Sequence, residues 1–187
     1  MAYLRILTHL RVGLLALKRS LLLVAWMACC QAWAERVPPF VVAQAVRVSD
    51  GDSVWLKPWD NATDQQRRRW VTRLQGIDAP ELCQDFGVVS QHALAARLAG
   101  QRLGVTWLGK DTYGRWLVRL RLLDDAGNAD VGQWMVAKGY AWAYRFKGDA
   151  GPYEREQQAA QRQRLGLFVN PKAVEPRVFR RTHGRCR

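Results

Sequence analysis

Four carboxylates fall in turn-forming sequence, where a chain can bring distant segments together. Asp50 and Asp52 lie in Ser49-Asp50-Gly51-Asp52, and Asp78 and Glu81 lie in Asp78-Ala79-Pro80-Glu81. Clustered acids repel one another unless something positive sits between them. A hard divalent cation with oxygen ligands answers that need, and calcium suits a flexible, loop-built, partly hydrated site. The pattern is not an EF-hand, because the third ligand and the glycine that should follow are missing. Taken alone, Asp50-Gly51-Asp52 also reads as an ordinary hairpin turn. Two arginines stand close to these acids in the pattern. Arg73 lies in the segment that runs into Asp78, and Arg115 follows Tyr113-Gly114. A phosphodiester attacked in line passes through a pentacoordinate species with added negative charge, and planar guanidinium groups can hold two of its oxygens at once. Each arginine by itself also reads as a surface cation.

These residues need strand ends to position them. Phe40 to Val48 is rich in valine and predicts a strand, and Ser53 to Lys57 predicts its return partner. Arg69 to Ile77 alternates apolar and polar residues, as a half-buried strand does. Val88 to Leu98 predicts a helix stopped by Gly100. Leu103 to Leu108 and Trp116 to Leu123 predict further strands, with Asp124 to Asn128 as a turn. Asp130 can cap a short helix that runs to Lys138, and Pro152 precedes another over Tyr153 to Arg164. Strands, helix, strands, helix, helix suits a small antiparallel barrel with helices packed against it.

The balance of 29 Lys and Arg against 16 Asp and Glu gives a formal charge of +13 over 187 residues. That favours polyanionic partners, nucleic acid or an anionic membrane surface. The first 34 residues read as a signal peptide: Arg5, Arg11, Lys18 and Arg19, then the apolar run Leu21 to Cys30, then Ala32-Trp33-Ala34. The apolar run falls short of the ~20 residues that span a bilayer. Cleavage near Ala34 would leave a secreted or periplasmic chain of charge +9, so the basic balance belongs to the domain. The expected organisation is a leader over 1–34, one domain over 35–170 and a basic tail over 171–187. Cys83 and Cys186 would remain after cleavage, free to pair in an oxidising compartment or to stay as thiols. Trp55, Trp107, Trp134 and Trp142 read as core or rim residues. Arg67-Arg68-Arg69 reads equally as a phosphate track or a solvated loop. The arginine-rich tail reads as added affinity for phosphates or as a disordered end. His92 and His183 show no metal-ligand spacing.

Four segments, in this order, resemble the staphylococcal nuclease family: Val48-Ser49-Asp50-Gly51-Asp52-Ser53-Val54, Arg73-Leu74-Gln75-Gly76-Ile77-Asp78-Ala79-Pro80-Glu81, Asp111-Thr112-Tyr113-Gly114-Arg115, and Gly139-Tyr140-Ala141-Trp142-Ala143-Tyr144. The resemblance implies an α+β, mainly β fold: a five-stranded OB-type barrel with three packed helices. It implies a calcium-dependent nuclease acting on DNA or RNA with little sequence preference and leaving 3′-phosphates. In the roles it implies, Asp52, Asp78 and the Ala79 carbonyl hold calcium, with Asp50 as an acidic neighbour. Glu81 activates water, Arg73 and Arg115 bind the scissile phosphate, and Tyr113 and Tyr144 lie beside the nucleotide. Phe146 stands near a position where the family has a second tyrosine. A monomer with no stable protein partner and no membrane span in the mature chain is expected. Two other readings remain open at this point. One is a barrel that binds nucleic acid without cutting it, and the other is an envelope protein that binds anionic lipid or polysaccharide.

Overall fold

Alternating burial builds the sheet. Along β6 (Trp116–Leu122) the side chains of Trp116, Val118, Leu120 and Leu122 turn inward while those between them are more exposed, which is the period-2 pattern of a half-buried strand. β1 (Val42–Val48), β2 (Ser53–Pro58), β3 (Trp70–Leu74) and β5 (Leu103–Lys110) complete a closed barrel in the order β1-β2-β3-β6-β5, with β5 returning to β1. The structure is a computed structural model, and it describes residues 42–59, 69–126, 129–144, 151–184 and 186. The expected leader, Arg67 and Arg68, and Phe146 lie outside the described residues.

The barrel departs from the expected antiparallel scheme at one junction. β3 pairs with β6 in parallel, through Thr72↔Trp116, Arg73↔Leu117 and Leu74↔Val118. Parity requires it: five strands cannot alternate in direction around a closed ring, so one neighbouring pair must run the same way. The segment predicted as one strand over Arg69 to Ile77 is also two. A turn at Gln75-Gly76 ends β3, and β4 (Ile77–Asp78) leaves the barrel to pair with β7 (Trp142–Ala143). Gly76 has φ +85°, a left-handed conformation that glycine adopts without a Cβ clash.

The helices cover the barrel. α1 (Gly87–Leu98) buries Leu94 and Leu98, and α2 (Val131–Ala137) buries Met135 and Val136, all in one cluster with Leu56, Leu74 and Leu120. Fully burying side chains of this kind contributes about 1.5–3 kcal/mol each. As expected, the Asp130 carboxylate caps α2, accepting from the Gln133 N–H at 2.9 Å. α3 (Glu154–Arg162) leads into a 3-10 turn (Gly166–Val169), where Phe168 meets the edge of Trp142 at 4.9 Å between ring centres. These are the three expected helices. A fourth, α4 (Pro176–His183), occupies the segment read from sequence as a basic tail. A disulfide between Cys83 and Cys186 ties its far end to the loop after β4.

Gly51 fixes how closely the β1–β2 turn seats on α1. A Cβ there would collide with Ser90 Oγ, and it would come within 2.6 Å of the Ala79 Cβ. Ser90 cannot simply turn away, because its hydroxyl donates to the Tyr140 carbonyl at 2.8 Å. Gly51→Ala is expected to lower the unfolding free energy by about 1–3 kcal/mol in urea titrations. Ser90→Ala in the same chain should recover part of that loss. A Gly51→Ala protein as stable as the parent would show that the turn does not seat as described.

Candidate active site

The β1–β2 turn folds around its own acids. The Ser49 N–H donates to the Ser53 carbonyl at 2.9 Å, and Asp50 Oδ1 accepts the Asp52 N–H at 2.9 Å. This directs the Asp52 side chain inward, to a residue exposure of 2 %. Its Oδ1 accepts from Arg73 Nη1 at 2.7 Å and from Ser53 Oγ at 3.1 Å, and its Oδ2 accepts from the Ala79 N–H at 3.0 Å. Arg73 then reaches on through Nη2 to Asp78 Oδ1 at 2.8 Å. One guanidinium therefore serves two buried carboxylates. Burial opposes the Arg73 charge, but Asp52 and Asp78 outweigh it and raise the Arg73 pKa.

Asp52 is not fully compensated. Burial, reinforced by the charges of Asp50 and Asp78, pushes its carboxyl up to about 7, against the pull of Arg73 and the Ala79 N–H. The direction follows from sharing: half a cation does not offset a carboxylate withdrawn from water. A buried acid in this condition favours an additional positive charge. Among the described residues, no group of three or more His, Cys, Asp and Glu gathers closely enough to hold a metal by itself. Asp52 and Asp78, completed by backbone and water oxygens, still form an oxygen donor set of the kind a hard cation takes. On these residues calcium fits as a partly hydrated ion.

Glu81 follows β4 in a loop held by Gln84. The Gln84 side chain accepts the Glu81 N–H at 3.2 Å, and the Gln84 N–H donates to the Glu81 carbonyl at 2.8 Å. The Gln84 amide also donates to the Val174 carbonyl at 2.7 Å, just ahead of α4. Arg115 enters from the β5–β6 turn. Asp111 Oδ1 accepts the backbone N–H of both Tyr113 and Arg115 at 2.9 Å, and its Oδ2 accepts Arg115 Nε at 2.8 Å. Although burial opposes it, these bonds hold the Asp111 carboxyl below the usual carboxylate range. Arg115 Nη1 donates to Ser53 Oγ at 3.2 Å, the same hydroxyl that donates to Asp52.

The expected residues meet in one cleft of about 1150 Å³. Asp50, Asp52, Arg73, Ala79, Glu81, Tyr113, Arg115 and Tyr144 line it, and Asp78 is joined to it through Arg73. Tyr113 and Tyr144 are exposed, at 65 % and 38 %, and the Arg115 guanidinium lies over the Tyr113 ring, 5.7 Å from its centre. Ala79 takes part through its N–H, whose bond to Asp52 Oδ2 orients that carboxylate.

Three participants were not singled out from sequence. Asp111 lies inside a quoted segment, but its role as the clamp on Arg115 depends on the turn geometry. Gln84 is a polar residue in a loop. Arg180 is the third, 99 positions from Glu81. Its Nη1 donates to Asp78 Oδ1 at 3.1 Å and to Glu81 Oε1 at 2.9 Å, and its Nη2 donates to Asp78 Oδ2 at 2.9 Å. Burial opposes its charge, and the bonds to Asp78 and Glu81 raise its pKa all the same. The signal for it was the cysteine pair: Cys83 is two residues after Glu81 and Cys186 six after Arg180, so pairing them brings the two regions together.

The profile of the family described as staphylococcal nuclease homologue matches residues 71–170. The micrococcal nuclease of Shigella flexneri is 36% identical over 180 residues, covering 92% of this chain and 96% of its own. Protein ParB of Escherichia coli is 36% identical over 172 residues, covering 88% of this chain and 90% of its own. An uncharacterized endonuclease of Escherichia coli O157:H7 is 32% identical over 137 residues, covering 73% and 83%.

Removing the shared guanidinium should be costly. Arg73→Leu leaves Asp52 and Asp78 buried without their common partner, and it is expected to lose about 3–5 kcal/mol of stability in divalent-free buffer. Asp52→Asn added to that chain should restore part of it. Denaturant unfolding measures both, and an Arg73→Leu protein of parental stability would mean that the Asp52 charge is held by other means.

Proposed function

The chain belongs to the staphylococcal nuclease family, and we propose that it hydrolyses the phosphodiester bonds of DNA or RNA with calcium, at low sequence preference, leaving 3′-phosphates. The observation that carries this reading is the convergence of Asp52, Arg73, Glu81 and Arg115 on one cleft, with Asp78 bound to Arg73 behind them.

Asp52, Asp78 and the Ala79 carbonyl are the groups that would hold calcium, which when bound supplies positive charge to a phosphate oxygen and orders water. The remaining work belongs to side chains. Glu81 accepts the proton of the attacking water. The water oxygen bonds to phosphorus, the bond to the 5′-oxygen breaks, and that oxygen takes up a proton, so the phosphate stays on the 3′ side. Arg73 and Arg115 hold the non-bridging oxygens as negative charge builds on them. Asp111 is a positioning residue, because it fixes the Arg115 guanidinium along its Nε edge. Tyr113 and Tyr144 offer flat faces to bases, and stacking of this kind tolerates any sequence. Groups that address phosphate and base faces carry no base-edge readout.

Action outside the cytosol, after loss of a leader near Ala34, is part of the same proposal. The Cys83–Cys186 disulfide supports it, since such bonds persist in oxidising compartments. Among the described residues no helix is long and apolar enough to cross a membrane. We take the monomer as the acting species.

The test is digestion of single-stranded DNA by the purified protein, with calcium and with excess chelator. Glu81→Gln is expected to lower the rate about 10²–10⁴-fold, and Arg115→Ala about 10²–10³-fold. Asp111→Asn, which leaves Arg115 in place but unclamped, should lower kcat about tenfold to a hundredfold with little change in KM. DNA that is retained but left intact by the parent protein would replace this reading with a nucleic-acid-binding barrel. Cutting that ignores all three substitutions would place the active site elsewhere.

A further inference from the structure

The carboxylates that a divalent cation and an attacking water would need are already engaged by a cation of the chain itself. Arg180 grips Asp78 with both ends of its fork, and through Nη1 it also holds Glu81. Arg73 takes a further bond to Asp78 Oδ1. Asp78 therefore has both oxygens donated to, one of them twice, and Glu81 is bound on Oε1.

Two anchors flank α4, and its arginine is partly buried. Before α4, Gln84 donates to the Val174 carbonyl. After it, Cys186 is bonded to Cys83, two residues beyond Glu81. Within it, the Arg180 side chain is only 29 % exposed. Eight residues do not make a stable helix by themselves in water, so the anchors hold α4 against the cleft. A tethered side chain faces its target at a high effective concentration, which a free arginine would not reach.

The charges make the two occupants exclusive. Arg73 donates to Asp78 Oδ1, whereas Arg180 Nη2 takes Oδ2, the oxygen on the other side of the carboxylate. A divalent ion on that oxygen would sit within contact range of the Arg180 guanidinium, and like charges that close repel strongly in a partly buried cleft. Arginine cannot resolve the conflict by losing its proton. The guanidinium has to leave Asp78 for the ion to enter, and in leaving it also frees Glu81.

We propose that Arg180, carried on the disulfide-tethered helix α4, competes with the divalent cation for Asp78 and masks Glu81, so that the tail sets how much calcium the site requires. The inference rests on the calcium reading of the site, and calcium binding can be read separately from catalysis.

The experiment is calorimetric titration of calcium into the full chain, its Arg180→Ala variant and its Cys186→Ser variant, with circular dichroism to verify folding. Losing a charge-assisted bidentate pair should tighten calcium binding by about tenfold in Arg180→Ala. Cys186→Ser keeps the guanidinium but frees its tether, and it should shift the affinity in the same direction by less. A parent that binds calcium with an affinity unchanged or weakened in Arg180→Ala overturns the competition and leaves the calcium reading standing. Absence of calcium binding in all three proteins overturns both.

Discussion

The ion pair between Arg73 and two buried aspartates is the constraint around which the cleft is organised. Asp52 comes from the turn after β1, Asp78 from the short strand β4, and neither is exposed enough to be satisfied by water. The shared guanidinium draws the two segments together, with N–O distances of 2.7 and 2.8 Å. It does so incompletely, because Asp52 has only a share of Arg73, whereas Asp78 also draws on Arg180. The residual negative charge is what makes the site receptive to a further cation, whether an ion from solution or an arginine from the same chain. Stability and chemistry are coupled here: the feature that keeps Asp52 costly to bury is also the one that can recruit a ligand.

The barrel delivers the remaining parts through its one parallel junction. If β3 and β6 ran antiparallel, the start of β6 would lie at the far end of β3, away from the acids. With parallel pairing, Trp116 stands beside Thr72 and Leu117 beside Arg73. The residue just before β6, Arg115, is then brought to the Asp52 turn, where it shares the Ser53 hydroxyl with Asp52. An odd number of strands makes one such junction unavoidable, and in this chain it falls where two arginines need to meet. The departure of β4 from the barrel serves the same end. By pairing with Trp142 and Ala143, it carries Asp78 and the Glu81 loop onto the rim near Tyr144, whose N–H donates to the Gly76 carbonyl.

Much of this was legible in the sequence because it is local. The alternation of Trp116 to Leu123, the Asp130 cap and the stop at Gly100 each depend on neighbours a few positions apart, and the structure holds all three. The acids stood out as carboxylates at the ends of predicted strands, and the arginines became legible beside them through the four ordered segments that resemble the staphylococcal nuclease family. What was not legible depends on distance along the chain. The mixed polar and apolar run of Arg69 to Ile77 concealed a turn, since the apolar Ile77 follows Gln75-Gly76 as it would in a continuing strand. The clamp of Asp111 on Arg115 requires a tight turn whose backbone N–H groups point to one carboxylate. Arg180 was beyond reach, since tail arginines look alike in composition and a link across 103 residues decides which one enters the cleft.

That link changes the character of the tail. A segment of exposed arginines beside a cleft for polyanions would ordinarily add loose, salt-screened affinity for phosphates. Closing a loop of this length removes conformations mainly from the unfolded chain, which in the chain-entropy view is a stabilising contribution of about 4.7 kcal/mol. The same bond restricts where Arg180 can go in the folded state. Arg177 and Arg181 line the cleft with it, so the tail brings several cations to a place where both carboxylates and incoming phosphates compete for them. A polyanion entering the cleft is itself a partner for those guanidinium groups. Binding of substrate and release of Asp78 and Glu81 would therefore draw on the same side chains, in the same direction. On this view the tail would lose its hold on the acids most readily when there is a phosphate backbone to receive it.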